Sequence, residues 1–336
     1  MRKVACLAFC GLFLSAAKAQ PPKMDSGIVR ILRSMDDFRR SEWKADSAAG
    51  RSFGSNKQAD FDRRNTFYVS LYRQLNTIDT TKLSFDDRIN TELLRYDIEE
   101  DLSNYRYKMY LNPILSDEGF HTGLAGMGNE TPSTVKDCEQ YIRRLKDMPR
   151  YVAEQLDLMR EGLRLGICQP KAILNGYENT YTRHIVDSAE KSIFYKPFLK
   201  KPFTISDADW KRLTAEAKDA VMNNAVGAYK KIKLFFDTEY LPKTRNTLGA
   251  SSFPDGLAFY QDRTHHYTTT NLLYDSIYRL GVNEVDRISR EMQQVMNEVQ
   301  FRGDLQAFIS YLRSERRFYA PAPEQLLKEA SYIAKE

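Results

Sequence analysis

The chain has 336 residues, of which 42% are hydrophobic and 28% charged, with a formal net charge of +5. That is ordinary globular composition, enough for one large domain or two small ones, with no low-complexity linker and no internal repeat. Removing Arg2, Lys3 and Lys18 with a cleavable leader lowers the charge from +5 to +2. A nearly neutral chain gives no electrostatic basis for binding nucleic acid.

Residues 1–19 read MRKVACLAFCGLFLSAAKA. A basic start at Arg2 and Lys3, an apolar centre from Val4 to Ala16 and an Ala17-Lys18-Ala19 site before Gln20 make a secretory signal peptide. The apolar run is too short to span a bilayer, so no membrane span is expected, and the mature chain is expected in the periplasm or outside the cell. Cys10 invites lipid attachment, but the bulky Phe9 stands where a small residue is expected. Cys6 and Cys10 leave with the leader, and Cys138 and Cys168 remain. An oxidising compartment would let these two pair, whereas the place of Cys138 on an apolar helix side reads as a buried free thiol. The spacing leaves both open.

From residue 20 on the periodicity is helical almost throughout. Ser84 opens a helix with Asp87 as its capping-box partner, and Leu94, Ile98, Leu102 and Tyr105 recur on one face until Asn112-Pro113. Residues 116–132 carry four glycines and read as a loop. A second helix starts near Ser133 or Thr134, with Val135, Cys138, Ile142 and Leu145 facing inward. Pro149 is expected to interrupt it, giving either a kinked helix or a helical hairpin. The pattern resumes through Val152, Leu156, Met159 and Leu163, and Gly166 is a natural stop.

Ser206 with Asp209 opens the longest helix. Trp210, Leu213, Ala217, Val221, Ala225, Ala228, Ile232 and Phe235 mark its buried side, and Tyr240-Leu241-Pro242 ends it. The stretch near 257–270 is aromatic and β-branched and reads as a short extended or β element. A helix then opens at Asn271 and carries Ile288, Met292, Val295 and Val299. Asp304 caps a short helix with Leu305, Phe308 and Leu312, and Pro323 starts a last one with Leu326, Leu327 and Ile333. The expected fold is mainly α, one multi-helix domain over residues 20–336. The last helix reaches Lys335-Glu336 without a stop signal, as in a chain whose architecture continues.

The order and spacing of several words then carry a resemblance. They are Leu111-Asn112-Pro113; Thr134 to Asp137 with Tyr141 and Arg144-Leu145; Tyr229 with Glu239-Tyr240-Leu241-Pro242 and Arg245; Thr268-Thr269-Thr270 through Gly281, Glu284-Val285 and Arg287-Ile288; and Phe308 to Tyr319. Together they resemble the N-terminal half of bacterial domain-of-unknown-function family 885, whose members look like secreted gluzincin-type zinc metallopeptidases. The family often has a histidine three residues before Gly281, where this chain has Tyr278.

The resemblance implies a later half with a His-Glu-x-x-x-x-His-like zinc helix and a downstream glutamate. Such chemistry needs two histidines about one turn apart to grip the metal and a glutamate to activate its water. The histidines here are His121, His184, His265 and His266, and no two are three, four or five apart. No catalytic residue carries over, and zinc is expected only in full-length relatives.

Other chemistry is thin. Ser251-Ser252 lacks a nucleophile-elbow setting, and the loop 119–128 lacks the lysine of a phosphate-binding loop. Glu99-Glu100-Asp101 fan around a helix as a solvated face. On an extended segment His265 and His266 would point to opposite faces and not chelate one metal. Tyr260, His265, His266 and Tyr267 are the candidate substrate-binding residues, lining a cleft for a peptide or other extended ligand. The leading expectation is a helical scaffold that lacks the zinc-binding half and is inactive alone. The alternative is a stand-alone periplasmic module binding a peptide or protein partner. A hydrolase with an unconventional site near His265 comes last.

Overall fold

The computed structural model describes residues 24–335; the leader read at 1–19, with Cys6 and Cys10, lies outside them. The chain is mainly α. Its helices are α1 (Ser26–Ala48), α2 (Gln58–Leu75), α3 (Phe85–Arg106), α4 (Val135–Leu165), α5 (Asn179–Thr182), α6 (Asp207–Asp219), α7 (Gly227–Phe235), α8 (Leu241–Lys243), α9 (Gly256–Thr268), α10 (Tyr274–Glu298), α11 (Leu305–Ser314) and α12 (Pro323–Ile333). Two compact units result, one running to Gly256 and the second from Leu257.

In the first unit, capping fixes where helices begin. Ser84 accepts the Asp87 N–H at 3.1 Å, as its spacing predicts. The reciprocal arm of the box is diverted, because the Asp87 carboxylate accepts the Asp25 N–H at 3.2 Å. Asp25 caps α1 in turn, so one hydrogen bond ties two helix starts together. Leu94 and Ile98 then close a small core with Ile28, Ile31, Leu71 and Leu75.

Thr134 and Asp137 form a complete capping box on α4. The helix runs 31 residues through Pro149 in one piece, so of the two expected forms the hairpin is overturned. A mid-helix proline costs about 3 kcal/mol. Met148 and Val152 on either side are both 0% exposed, and burying each contributes roughly 1.5–3 kcal/mol, so packing outweighs the lost amide bond. Gly166 closes the helix at φ 76°, where a side chain would be strained.

The helix begun at Ser206 continues to Lys243 by way of two π-helical stretches, Ala220–Val226 and Phe236–Tyr240. Its apolar residues explain them. Leu213, Ala217, Val221 and Ala225 recur at steps of four, which drift around a 3.6-residue helix. A wider π turn brings them back to one face, and all four are 0% exposed. This face and the inner face of α4 build the main core. Cys138 and Cys168 are both buried free thiols.

The expected extended element near 257–270 is not there: residues 256–268 are helix α9. Aromatic and β-branched residues favour strands because of how they pack on a sheet. No sheet strand exists among the described residues for this segment to pair with, and coiling lets the backbone bond its own amides. The threonines assist, since Thr264 and Thr268 hydroxyls donate to the carbonyls of Tyr260 and Thr264 at 2.9 and 2.7 Å.

In the second unit α10 begins at Tyr274, three residues later than expected. Asp304 caps α11 by accepting the Ala307 N–H at 2.8 Å, and Pro323 occupies the first turn of α12. Among its described residues only Met296 and Phe308 are buried hydrophobic side chains.

Candidate functional site

Placed on a helix, the four predicted residues do not converge. Tyr260 and Tyr267 are seven residues apart and share a face, 49% and 79% exposed. The His265 Nδ1 lies 2.9 Å from the Thr270 carbonyl oxygen. A carbonyl only accepts, so this nitrogen carries the proton, and His265 closes the end of its own helix. His266 stacks edge-on against Tyr267 at 5.1 Å. Successive helical residues stand about 100° apart, so the two imidazoles still do not share a face. The arrangement offers two exposed phenols and a partly engaged imidazole for contact with a ligand. It contains no paired nucleophile and base.

The structure gathers the other two histidines, which the sequence reading left unassigned. His121 follows the loop's Gly119, and His184 follows α5. They lie 63 positions apart, and Tyr229 of α7 stands between them. The Tyr229 hydroxyl donates to the His121 carbonyl oxygen at 2.7 Å, and its ring lies 4.6 Å from His184. Tyr177, Tyr181 and Phe194 complete an aromatic enclosure around the pair.

Hydrogen bonding fixes both tautomers. The Thr180 hydroxyl spends its one proton on the Tyr177 carbonyl at 2.7 Å, so at 2.9 Å it accepts from His121 Nε2. The His121 Nδ1 lone pair is then buried without a partner. His184 Nε2 accepts from the Arg183 guanidinium at 3.3 Å and is likewise unprotonated. Burial first, then His184 and Arg183, pushes His121 down to about 4. Burial and Arg183 push His184 down to about 4 as well. Two neutral imidazoles sealed among phenols are core groups. Among the described residues no three His, Cys, Asp or Glu side chains are grouped to hold a metal ion.

A groove of about 510 Å³ opens beside this enclosure, lined by Asn112, Pro113, Ile114, Leu115, Glu118 and Gly119 among others. A Cβ at Gly119 would fall 2.5 Å from the Tyr177 hydroxyl, so only glycine lets the loop lie against the core here. Glu118 is the charged side chain in the lining, which suits shape recognition more than catalysis.

A long exposed apolar feature lies on α10 and its C-cap residue. Tyr278, Val282, Val285, Ile288, Met292, Val295 and Val299 recur at steps of three and four, and each is between 42% and 73% exposed. That spacing is one continuous stripe over six turns facing water. Leu326, Leu327 and Ile333 of α12 are also exposed.

The fold and this surface define an all-α protein with a long exposed apolar stripe. Residues 47–336 match the model of a family described as "Bacterial protein of unknown function (DUF885)", and the chain belongs to that family. Its fold is similar to the crystal structure of "the putative lipoprotein from Colwellia psychrerythraea", with a TM-score of 0.63 and 20% identity over 85% of this chain. The match takes in 52% of that protein, so this chain spans about half its length. No curated protein matches.

Proposed function

We propose that this chain is the N-terminal helical scaffold of a secreted, metallopeptidase-like member of the family, that it does not carry the zinc-binding portion, and that it is inactive alone. The α10 stripe carries this reading. Contiguous apolar surface of this extent marks an interface, and a unit of this size with two buried hydrophobic side chains leaves its core to be completed by something else. The greater length of the solved relative, of which the match takes in 52%, supports a further portion of a longer protein as what covers it. The leader at 1–19 and the lipoprotein name of that relative support a periplasmic or extracellular setting. Among the described residues no helix is long and apolar enough to cross a membrane.

The purified mature chain is expected to bind a hydrophobic dye and to self-associate as its concentration rises. Val285→Asp with Val295→Asp should reduce both at least several-fold while leaving helicity unchanged. It should hold no stoichiometric zinc and hydrolyse no peptide. A monomeric, dye-silent wild type would overturn the reading, as would tight zinc with chelator-sensitive hydrolysis. Hydrolysis that survives chelator and falls on His265→Ala would point to the unconventional hydrolase. The stand-alone binding module is favoured by Tyr260 and Tyr267, whose phenols face water together. It predicts peptide binding that Tyr260→Ala and Tyr267→Ala each weaken.

A further inference from the structure

The segment Phe198-Leu199-Lys200-Lys201-Pro202-Phe203 makes a second, different surface on the first unit. Phe198 and Ile205 are buried and pin the two ends of the loop, while Leu199 is 62% and Phe203 98% exposed between them. The backbone holds this display in place. Pro197 and Pro202 fix their own φ, the Ile205 N–H donates to the Pro202 carbonyl at 3.3 Å, and the Thr204 hydroxyl donates to the Ser133 carbonyl. A phenyl ring held wholly in water by a constrained loop adds no buried area to the fold.

Its surroundings are cationic. Lys196 reaches the Asn129 amide oxygen at 3.4 Å, Lys201 pairs with Asp207, and among the described residues Lys200 has no ion-pair partner. The open groove beside the loop, about 660 Å³, is lined by Pro132, Pro197, Pro202 and these lysines. Glu130, the carboxylate in that lining, is already held by Arg144 at 2.8 Å. Lysines are depleted from the cores of protein interfaces. An apolar tip ringed by lysine stems instead matches the boundary of a bilayer, with rings at the acyl level and ammonium groups among anionic headgroups.

We propose that the 199–203 loop is a peripheral docking tip for a bilayer surface carrying anionic phospholipid. Phe203 and Leu199 enter the interface, and Lys196 and Lys200 meet the headgroups. The test is sedimentation of the mature chain with vesicles of phosphatidylcholine alone or mixed with phosphatidylglycerol. Binding is expected to the mixed vesicles and to weaken as salt is raised. Phe203→Ser, and separately Lys196→Glu with Lys200→Glu, should each lower partitioning about tenfold. These side chains lie at the surface, so circular dichroism should not change. Any general stickiness of the α10 stripe is common to all variants and cancels in the comparison. Equal binding by wild type and Phe203→Ser, or no preference for the anionic lipid, overturns the proposal. So does a change of oligomeric size on Phe203→Ser without loss of vesicle binding, which would assign the loop to a second copy of the chain.

Discussion

Replacing Tyr229 with alanine is expected to destabilise the first unit by about 3–5 kcal/mol, lowering its melting temperature by about 10 °C. The side chain is fully buried, and its ring touches His184 and Phe194 at 4.6 and 5.7 Å between centroids. Truncation removes that area and leaves a void beside two polar rings. Tyr229→Phe separates the contributions. It keeps the ring and deletes only the hydroxyl that donates to His121, and should cost about 1–2 kcal/mol for the orphaned carbonyl. Denaturant unfolding of wild type and both variants tests this. An alanine variant within about 1 kcal/mol of wild type would mean that the aromatic enclosure is not a packed core.

Acidification gives the second large effect. His121 and His184 have folded values of about 4, against 6.5 when free. Between these limits the unfolded chain binds more protons than the folded one, so stability falls as pH falls. The loss begins near pH 6.5 and is complete for these groups near pH 4. For His121 alone it amounts to about 3 kcal/mol. His184 adds in the same direction, since Arg183 already donates into its lone pair. Unfolding midpoints measured from pH 7.5 to 4 should show this slope, and the double change His121→Gln, His184→Gln should flatten it whatever it does to absolute stability. An unchanged slope in the double variant would show that neither imidazole is held neutral.

Much of the fold was legible because the signals involved are local. Ser84, Thr134, Ser206 and Asp304 each cap the helix that their sequence spacing announces, since a cap acts on amides two or three residues away. The inward stripes of α4 and of the Ser206 helix were readable from periodicity. So was the stripe of α10, although periodicity does not say what covers it. The candidate site was less legible. The aromatic, threonine-rich stretch at 257–268 reads as strand by propensity, yet a strand needs a partner that only the assembled chain supplies. Pro149 reads as a break, but its cost is set against burial of Met148 and Val152, which the sequence does not display. No spacing rule links His121 to His184. The Lys200-Lys201-Pro202-Phe203 run was visible in the sequence, yet nothing there marks Phe203 as outward while Phe198 turns in.

By itself, then, the sequence determined the helical class, the starts of the helices opened by Ser84, Thr134, Ser206, Asp304 and Pro323, the family to which the chain belongs and the absence of a two-histidine zinc helix from these 336 residues. Only the tertiary structure decided that residues 256–268 coil, that α4 passes its proline, that two distant imidazoles are sealed neutral around Tyr229, and that Phe203 stands in water. Caps and stripes are enforced within a turn or two of chain. Strand pairing, desolvation and exposure depend on neighbours supplied from far along it.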